Sequence, residues 1–390
     1  MKKIVIFILI SLLIGCSTKK EEIVEIPKYD DIVIKASWFS FVDFRDNMQN
    51  KSEEDFNSEV ENIINTLDEG GFNTIYVHAV SFTDAFYDSN IYPRTLILPN
   101  IEYDPLNIFI EKAHKKGIRV EAWINPMRSY LEEELIYVDD DFIVKKWIND
   151  EKPYIKNVKG RYYLNPAYEE VNNLILSVID ELITNYDIDG IHMDDYFYPD
   201  GVTEDFDYEV YSERCLNKCS LKEFRTSNVN NLVALINKKV KKANLVFGIS
   251  PSGNMSYSID TIYGNFYDWV DARIVDYLIP QIYWGYNHPT KPYLKTLEEW
   301  MEVVKGSDVD LIVGLAGYKI GVEDVYAKEG KFEWIENNDI ISKQIQDAKE
   351  LKVKGISIFS YQSIYKPIKE VEKAVELERE KFEEKLLGWK

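Results

Sequence analysis

Two adjacent carboxylates, Asp194 and Asp195, stand at the end of Asp187-Ile188-Asp189-Gly190-Ile191-His192-Met193-Asp194-Asp195-Tyr196-Phe197-Tyr198-Pro199, a strand-like run that stops in acids and aromatic rings. Strand alternation sends Ile191 and Met193 to one face and Gly190, His192 and Asp194 to the other, so one side packs while the other presents chemistry. Burying both acids unpaired would cost several kcal/mol each, roughly, so stability alone does not explain them. Asp194 is the candidate catalytic carboxyl. Asp195, its chain neighbour, should point away toward a loop amide or an arginine unless the strand bends. His192 is expected to orient an acid rather than serve as a base, and Asp189, at the strand start, reads as structural.

General acid and base work needs a second carboxyl group, and Asp84 and Glu121 are the candidates, with Glu323 available only if its loop folds back. Other strand ends supply Trp38, His78, Trp123, Asn125, Arg128, Tyr196, Gln281, Tyr283, Trp284 and Tyr361. Pyranose faces stack on aromatic rings, hydroxyls pair with amides and acids, and two carboxyls can divide the proton transfers of glycoside cleavage. Asn125 and Arg128 read as substrate-positioning groups; Trp123, Tyr283, Trp284 and Tyr361 read as stacking walls. No cofactor or metal motif stands among them.

Positioning these residues requires a repeated βα unit. Strand patterns span Ile32–Phe41, Asn73–Val80, Ile118–Ile124, a fourth opening at Ile188, Leu245–Ser250, Val275–Tyr283, Val309–Leu315 and Gly355–Tyr361. Amphipathic helices are expected over Glu53–Glu69, Pro105–Lys116, Ala167–Tyr186, Asn228–Ala243, Tyr293–Lys305 and Ile340–Lys352, with a charged helix from Lys366 onward. Asp104-Pro105 is a helix start and Gly117 a helix stop. Every gap between strands is long enough for a crossover helix. Eight such units predict a TIM-type (β/α)8 barrel of the α/β class, with an inserted segment between strands 3 and 4, roughly Asn125 to Pro166. No Gly-rich turn follows the first strand, against a dinucleotide-binding sheet. In a barrel, chemistry sits at the C-terminal strand ends, where the candidates fall.

The N-terminus predicts a different job. Lys2 and Lys3 precede an apolar run from Ile4 to Ile14, too short for a comfortable membrane span, and Leu13-Ile14-Gly15-Cys16 has the form of a bacterial lipobox. Residues 1–15 are expected to be a lipoprotein signal peptide, Cys16 the lipidated residue, 16–30 a polar tether and 31–390 the barrel, held outside the cytoplasm on a bacterial membrane. The net charge of −21 becomes −23 once Lys2 and Lys3 leave, which makes nucleic acid a poor partner. At 45% hydrophobic and 14% aromatic content the rest can bury a large core. Cys215 and Cys219 are spaced for a local disulfide or a paired metal site; with no histidine nearby, two surface thiols or a minor bridge fit better. Oligomeric state is not legible.

The chain resembles the bacterial glycoside hydrolase family 10-like proteins, barrel proteins often found as lipoproteins or secreted proteins. The resemblance runs from about Lys35 to Tyr361 and rests on Ala36-Ser37-Trp38, Asp84-Ala85-Phe86-Tyr87, Asp104-Pro105-Leu106, Ala113-His114, Ala122-Trp123-Ile124-Asn125-Pro126, Tyr163-Leu164-Asn165-Pro166, the Asp189–Pro199 stretch, Gly248-Ile249-Ser250-Pro251 and Pro280-Gln281-Ile282-Tyr283-Trp284. It implies hydrolysis of O-glycosidic bonds in a polysaccharide, in some relatives within cell-wall (peptidoglycan) glycan strands. One departure bears on substrate choice: where the family usually has Val-Arg-Pro, this chain has Ala79-Val80-Ser81, and valine cannot replace a guanidinium fork. Two other classes remain: a non-catalytic glycan-binding lipoprotein that keeps the aromatic cleft, and a metal-dependent polysaccharide deacetylase using His192 and Asp194 as ligands.

Overall fold

Residues two apart on successive strands converge on one axis: Ile34, Ala36 and Trp38, then Tyr76, Trp123, Tyr277, Ile279 and Ile312, form a single buried cluster. Their neighbours, among them Ile75, Val77, Val120, Ala122, Ile191, Met193, Phe247, Ile249, Val313, Ile356 and Ile358, belong to a second and larger cluster shared with the surrounding helices. This two-sided burial is what a closed parallel sheet imposes on its strands. The computed structural model describes residues 24–390, so the expected signal peptide and Cys16 lie outside the described residues.

The strands, in chain order, are β1 (Ile34–Phe39), β2 (Thr74–Val80), β3 (Arg119–Ile124), β4 (Arg128–Leu131), β5 (Ile155–Val158), β6 (Arg161–Leu164), β7 (Gly190–Asp194), β8 (Val246–Ser250), β9 (Tyr277–Leu278), β10 (Asp310–Ala316) and β11 (Gly355–Phe359). Eight of them close a barrel in the order β1-β11-β10-β9-β8-β7-β3-β2, and every pairing around it is parallel. The expected (β/α)8 barrel is therefore observed. The insertion forms a three-stranded antiparallel sheet, β4-β6-β5, which begins at Arg128, four residues past the end of β3.

Several element boundaries differ from the sequence expectation for local reasons. The first strand stops at Phe39, not Phe41, because Ser40 caps the helix Phe41–Asn47 in a reciprocal box with Asp43. The sixth shrinks to two residues: Pro280 has no N–H to donate, and the Ile282 amide bonds to the Pro280 and Gly314 carbonyls instead. Gln281 still bridges toward Ser252 and Gly314, so its side chain reaches the barrel mouth. The helix before β8 begins at Leu221, capped by a Ser220–Glu223 box, seven residues ahead of the expected Asn228. Cys215 and Cys219 form a disulfide. The tether expected through residue 30 also ends sooner, since Tyr29 is buried under the barrel with its ring stacked on Tyr277 at 5.7 Å.

Below the mouth the axis holds a polar chain. Trp38 Nε1–H donates to His192 Nε2 at 3.1 Å. This fixes the imidazole tautomer, so Nδ1–H donates to the Tyr277 hydroxyl at 3.0 Å, which donates to Glu121 at 2.6 Å. Burial pushes the His192 pKa down to about 3 and raises Glu121 from 4.5 to about 7. Glycines make room for the chain: a Cβ on Gly248 would lie 2.0 Å from the Tyr277 ring, and one on Gly190 would lie 2.9 Å from the Glu121 carboxyl.

Candidate active site

At the C-terminal mouth, a half-open cavity of about 330 Å³ is lined by Trp38, Ser40, Phe41, His78, Trp123, Asn125, Asp194, Tyr196, Ser250, Gln281, Tyr283, Tyr318 and Phe359. Asp194 ends β7 with its side chain inward, as alternation required. Its Oδ1 accepts the Asp195 backbone N–H at 2.8 Å and the Gln281 amide at 3.1 Å. Gln281 is held in turn by donating to the Ser250 carbonyl at 3.0 Å. The strand bends immediately after Asp194, which brings the Asp195 carboxyl beside that of Asp194. Burial and the negative charge of Asp194 drive Asp195 well above the usual carboxylate range; burial also raises Asp194, against the bonds from Asp195 and the positive field of Arg128. Two carboxyls this close cannot both ionise cheaply, so the pair retains one proton at pH values where an isolated aspartate has lost it.

Aromatic rings line much of the cavity. The Trp123 ring stacks on His78, with centroids 3.5 Å apart, and Tyr283 packs against Tyr318 and Phe359. His78 Nδ1 accepts the Phe41 amide N–H at 3.1 Å, and burial pushes its pKa well down, so the ring is neutral with its proton on Nε2. The Asn125 side-chain amide lies 3.3 Å from that Nε2. Its oxygen must be the atom facing the histidine, which turns the amide nitrogen to the cavity.

Among the sequence candidates, Asp194, Trp38, His78, Trp123, Asn125, Tyr196, Gln281 and Tyr283 meet at this cavity. Asp195 adjoins it behind Asp194, and Arg128 stacks on the Tyr196 ring at 4.0 Å on its rim. The others are elsewhere. Glu121 sits a layer deeper, paired across the sheet with Gly190 at the start of β7. His192 lies beneath the floor with both ring nitrogens bonded within the barrel. That occupancy leaves no lone pair on His192 for the metal-ligand role expected of it in a deacetylase. Asp84 is buried and accepts the Ser81 and Phe82 amides at 3.2 and 2.8 Å, shaping the loop after β2. Trp284 packs on its own loop against Lys291 and His288. Tyr361 is buried between Phe39 and Tyr365 and lines a separate cleft with Thr66 and Glu383. Glu323 pairs with Lys331 at 2.8 Å on the surface. Asp189 is structural, as expected, accepting the Val120 amide at 2.7 Å.

Sequence reasoning missed Phe41, Phe359, Phe82 and Arg161. Phe359 was within reach, since it continues the inward alternation of Gly355 and Ser357; the other three come from a helix start, a loop and the inserted sheet, where no strand period points inward.

A family model described as "Glycosyl hydrolase-like 10" matches residues 34–332. The chain belongs to this family. Glycosyl hydrolase YngK of Bacillus subtilis is 30% identical over 286 residues, covering 66% of this chain and 55% of that protein. Glycosyl hydrolase DigH of Escherichia coli K12 is 29% identical over 279 residues, covering 64% of this chain and 63% of its own. The match thus spans less than two thirds of either relative. Among solved structures, the glycoside hydrolase domain of PgaB (BpsB) from Bordetella bronchiseptica superposes with a TM-score of 0.55 at 12% identity, covering 88% of this chain and 98% of that one. The C-terminal domain of a putative chitinase from Desulfitobacterium hafniense gives 0.52 at 10% identity, covering 91% and 99%. At such identities these two speak for the fold.

Proposed function

We propose that this chain is a lipid-anchored glycoside hydrolase that cleaves O-glycosidic bonds in cell-wall (peptidoglycan) glycan strands. The observation that carries the reading is the Asp194 carboxyl, with Asp195 beside it, at the edge of one cavity that aromatic rings and amides line. Trp123 and Tyr283 offer apolar faces to a pyranose ring, and Asn125 and Gln281 offer amide groups to its hydroxyls. Asp194, the member of the pair that reaches the cavity, gives its proton to the glycosidic oxygen as the C–O bond breaks. Water then adds at the anomeric carbon, breaks the bond to the nucleophile that displaced the leaving group, and returns a proton to Asp194, which re-forms the hydrogen-bonded pair with Asp195.

Among the described residues lining the cavity, Asp194 is the sole carboxylate, so no second acid stands across the sugar ring. Attack at the anomeric carbon is then assigned to the substrate's own 2-acetamido oxygen, a route some glycosidase families take. Cell-wall strands, built from 2-acetamido sugars, meet that requirement. Cys16 in its lipobox supports an extracytoplasmic position, lipid-anchored to a bacterial membrane.

The test uses soluble protein begun after Cys16, incubated with peptide-free and peptide-bearing peptidoglycan strands and with cellulose oligomers, which carry a 2-hydroxyl. Reducing ends should appear from the peptidoglycan strands only. Asp194→Asn should lower the rate by about 10²–10⁴ while binding persists, the range of a lost general acid. Binding without release of reducing ends from any strand by the unsubstituted protein would instead make it a glycan-binding lipoprotein.

A further inference from the structure

Arg128 and Arg161 stand together at the cavity rim without an acid to neutralise them. The Arg128 guanidinium lies 4.0 Å from the Tyr196 ring centroid and 5.0 Å from that of Phe82, and Arg161 lies 4.4 Å from the same Phe82 ring. Two cations therefore flank one ring, and both burial and the charge of Arg128 depress the Arg161 pKa. Among the described residues neither makes a salt bridge, although 24 such pairs occur elsewhere in this acidic chain. Arg161 is secured by donating to the Ser129 carbonyl at 2.6 Å. Arg128 is not secured in this way: its Nε is buried and has no hydrogen-bond partner.

Nearby acids do not account for the arrangement. Asp194 feels the Arg128 charge but spends its Oδ1 on Asp195 and Gln281. Asp84 and Glu134 reach Arg161 only through their fields. Stacking between Tyr196 and Phe82 holds the Arg128 plane while leaving its donor edge unused, which is how a guanidinium is presented to a planar anion. The inserted sheet builds the device: β4 begins at Arg128 and β6 at Arg161, in adjacent antiparallel strands. Phe82 comes from the loop after β2, two residues beyond Val80.

We infer that Arg128, supported by Arg161, is a subsite for a carboxylate carried by the glycan, so that the preferred substrate is an acidic polysaccharide. The inference rests on the glycosidase reading for its location and adds a chemical class to it. Two sugar carboxylates fit the fork equally: the lactyl ether of a muramyl residue and the C6 carboxylate of a uronic acid.

Equilibrium binding to the full barrel separates these points. Three oligosaccharides of matched length serve as probes: a neutral N-acetylglucosamine oligomer, a peptide-free muramyl oligomer, and a hyaluronan fragment alternating uronate with N-acetylglucosamine. At least one acidic oligomer should bind about tenfold or more tighter than the neutral one, with a preference that fades as salt rises. Which of the two wins identifies the lactyl or the uronate carboxylate. Arg128→Gln should erase the preference, lowering affinity for the acidic oligomers far more than for the neutral one, and Arg128→Lys should keep only part of it. Equal affinity of the unsubstituted protein for all three overturns the inference whether or not any variant folds, and so does an Arg128→Gln change that weakens all three alike. Acidic preference without turnover would sink the glycosidase reading and spare this one; turnover without preference would do the reverse.

Discussion

Glu121 gives the sharpest test of the barrel interior. Its carboxyl is fully buried, accepts the Tyr277 hydroxyl at 2.6 Å and has Arg119 no nearer than 3.9 Å. Burial dominates and raises its pKa from 4.5 to about 7. The folded chain therefore keeps this proton over a range where the unfolded chain has released it. The sign follows from linkage: the contribution is most favourable below about pH 4.5, declines as pH rises, and levels off above about 7. At ~1.4 kcal/mol per pH unit the decline amounts to about 3 kcal/mol. Glu121→Gln keeps the shape and an acceptor for Tyr277 but removes the ionisation. Urea-unfolding midpoints should nearly coincide for the two proteins at pH 5 and separate by pH 8, with the variant more stable by up to about 3 kcal/mol. Asp43, raised to about 6, slopes the same way in both proteins and cancels in the comparison. Midpoints that stay parallel across this range would refute the burial argument. A variant less stable at pH 8 would mean that Arg119 stabilises the ionised carboxylate more than burial penalises it.

Asp195 is the member of the pair driven furthest up; Asp195→Asn removes it and leaves Asp194, which burial alone raises, so the alkaline limb of the pH–activity profile should move to lower pH, and an unmoved limb would separate the two acids functionally. Gly248→Ala drives a methyl to within 2.0 Å of the Tyr277 ring, and a loss of about 3 kcal/mol or more in thermal or urea stability is expected, since overpacking a barrel core has no slack to absorb it. Full-length protein expressed in a bacterium should partition into the detergent phase on Triton X-114 separation, and Cys16→Ser should move it to the aqueous phase; identical partitioning would remove the lipid anchor.

The barrel was readable because each of its strands carries an apolar run bounded by helix stops and starts such as Gly70-Gly71 and Asp104-Pro105, and because a period of two names the inward residues. That period placed Asp194 and His192 on the axis and Trp123 on the same wall. It could not say how high on the axis each residue stands. Glu121 and Trp123 are both inward on β3, yet one is sealed beside Tyr277 and the other lines the cavity, because height is set by the stagger between neighbouring strands.

Loops were the other blind spot. Asp84 and Tyr361 lie just past strand ends and look alike in sequence to true rim residues, but backbone amides claim the first, and the second opens a helix that sets its ring between Phe39 and Tyr365. The sequence by itself determined the architecture, the strand that bears the acids and the chemical character of the mouth, since local periodicity and residue type are properties of the chain. Tertiary structure alone decided that the Asp195 carboxyl comes to lie beside that of Asp194 and that two arginines from an inserted sheet meet at Phe82. Each depends on a bend or a contact between segments far apart in the chain, and no local pattern encodes either.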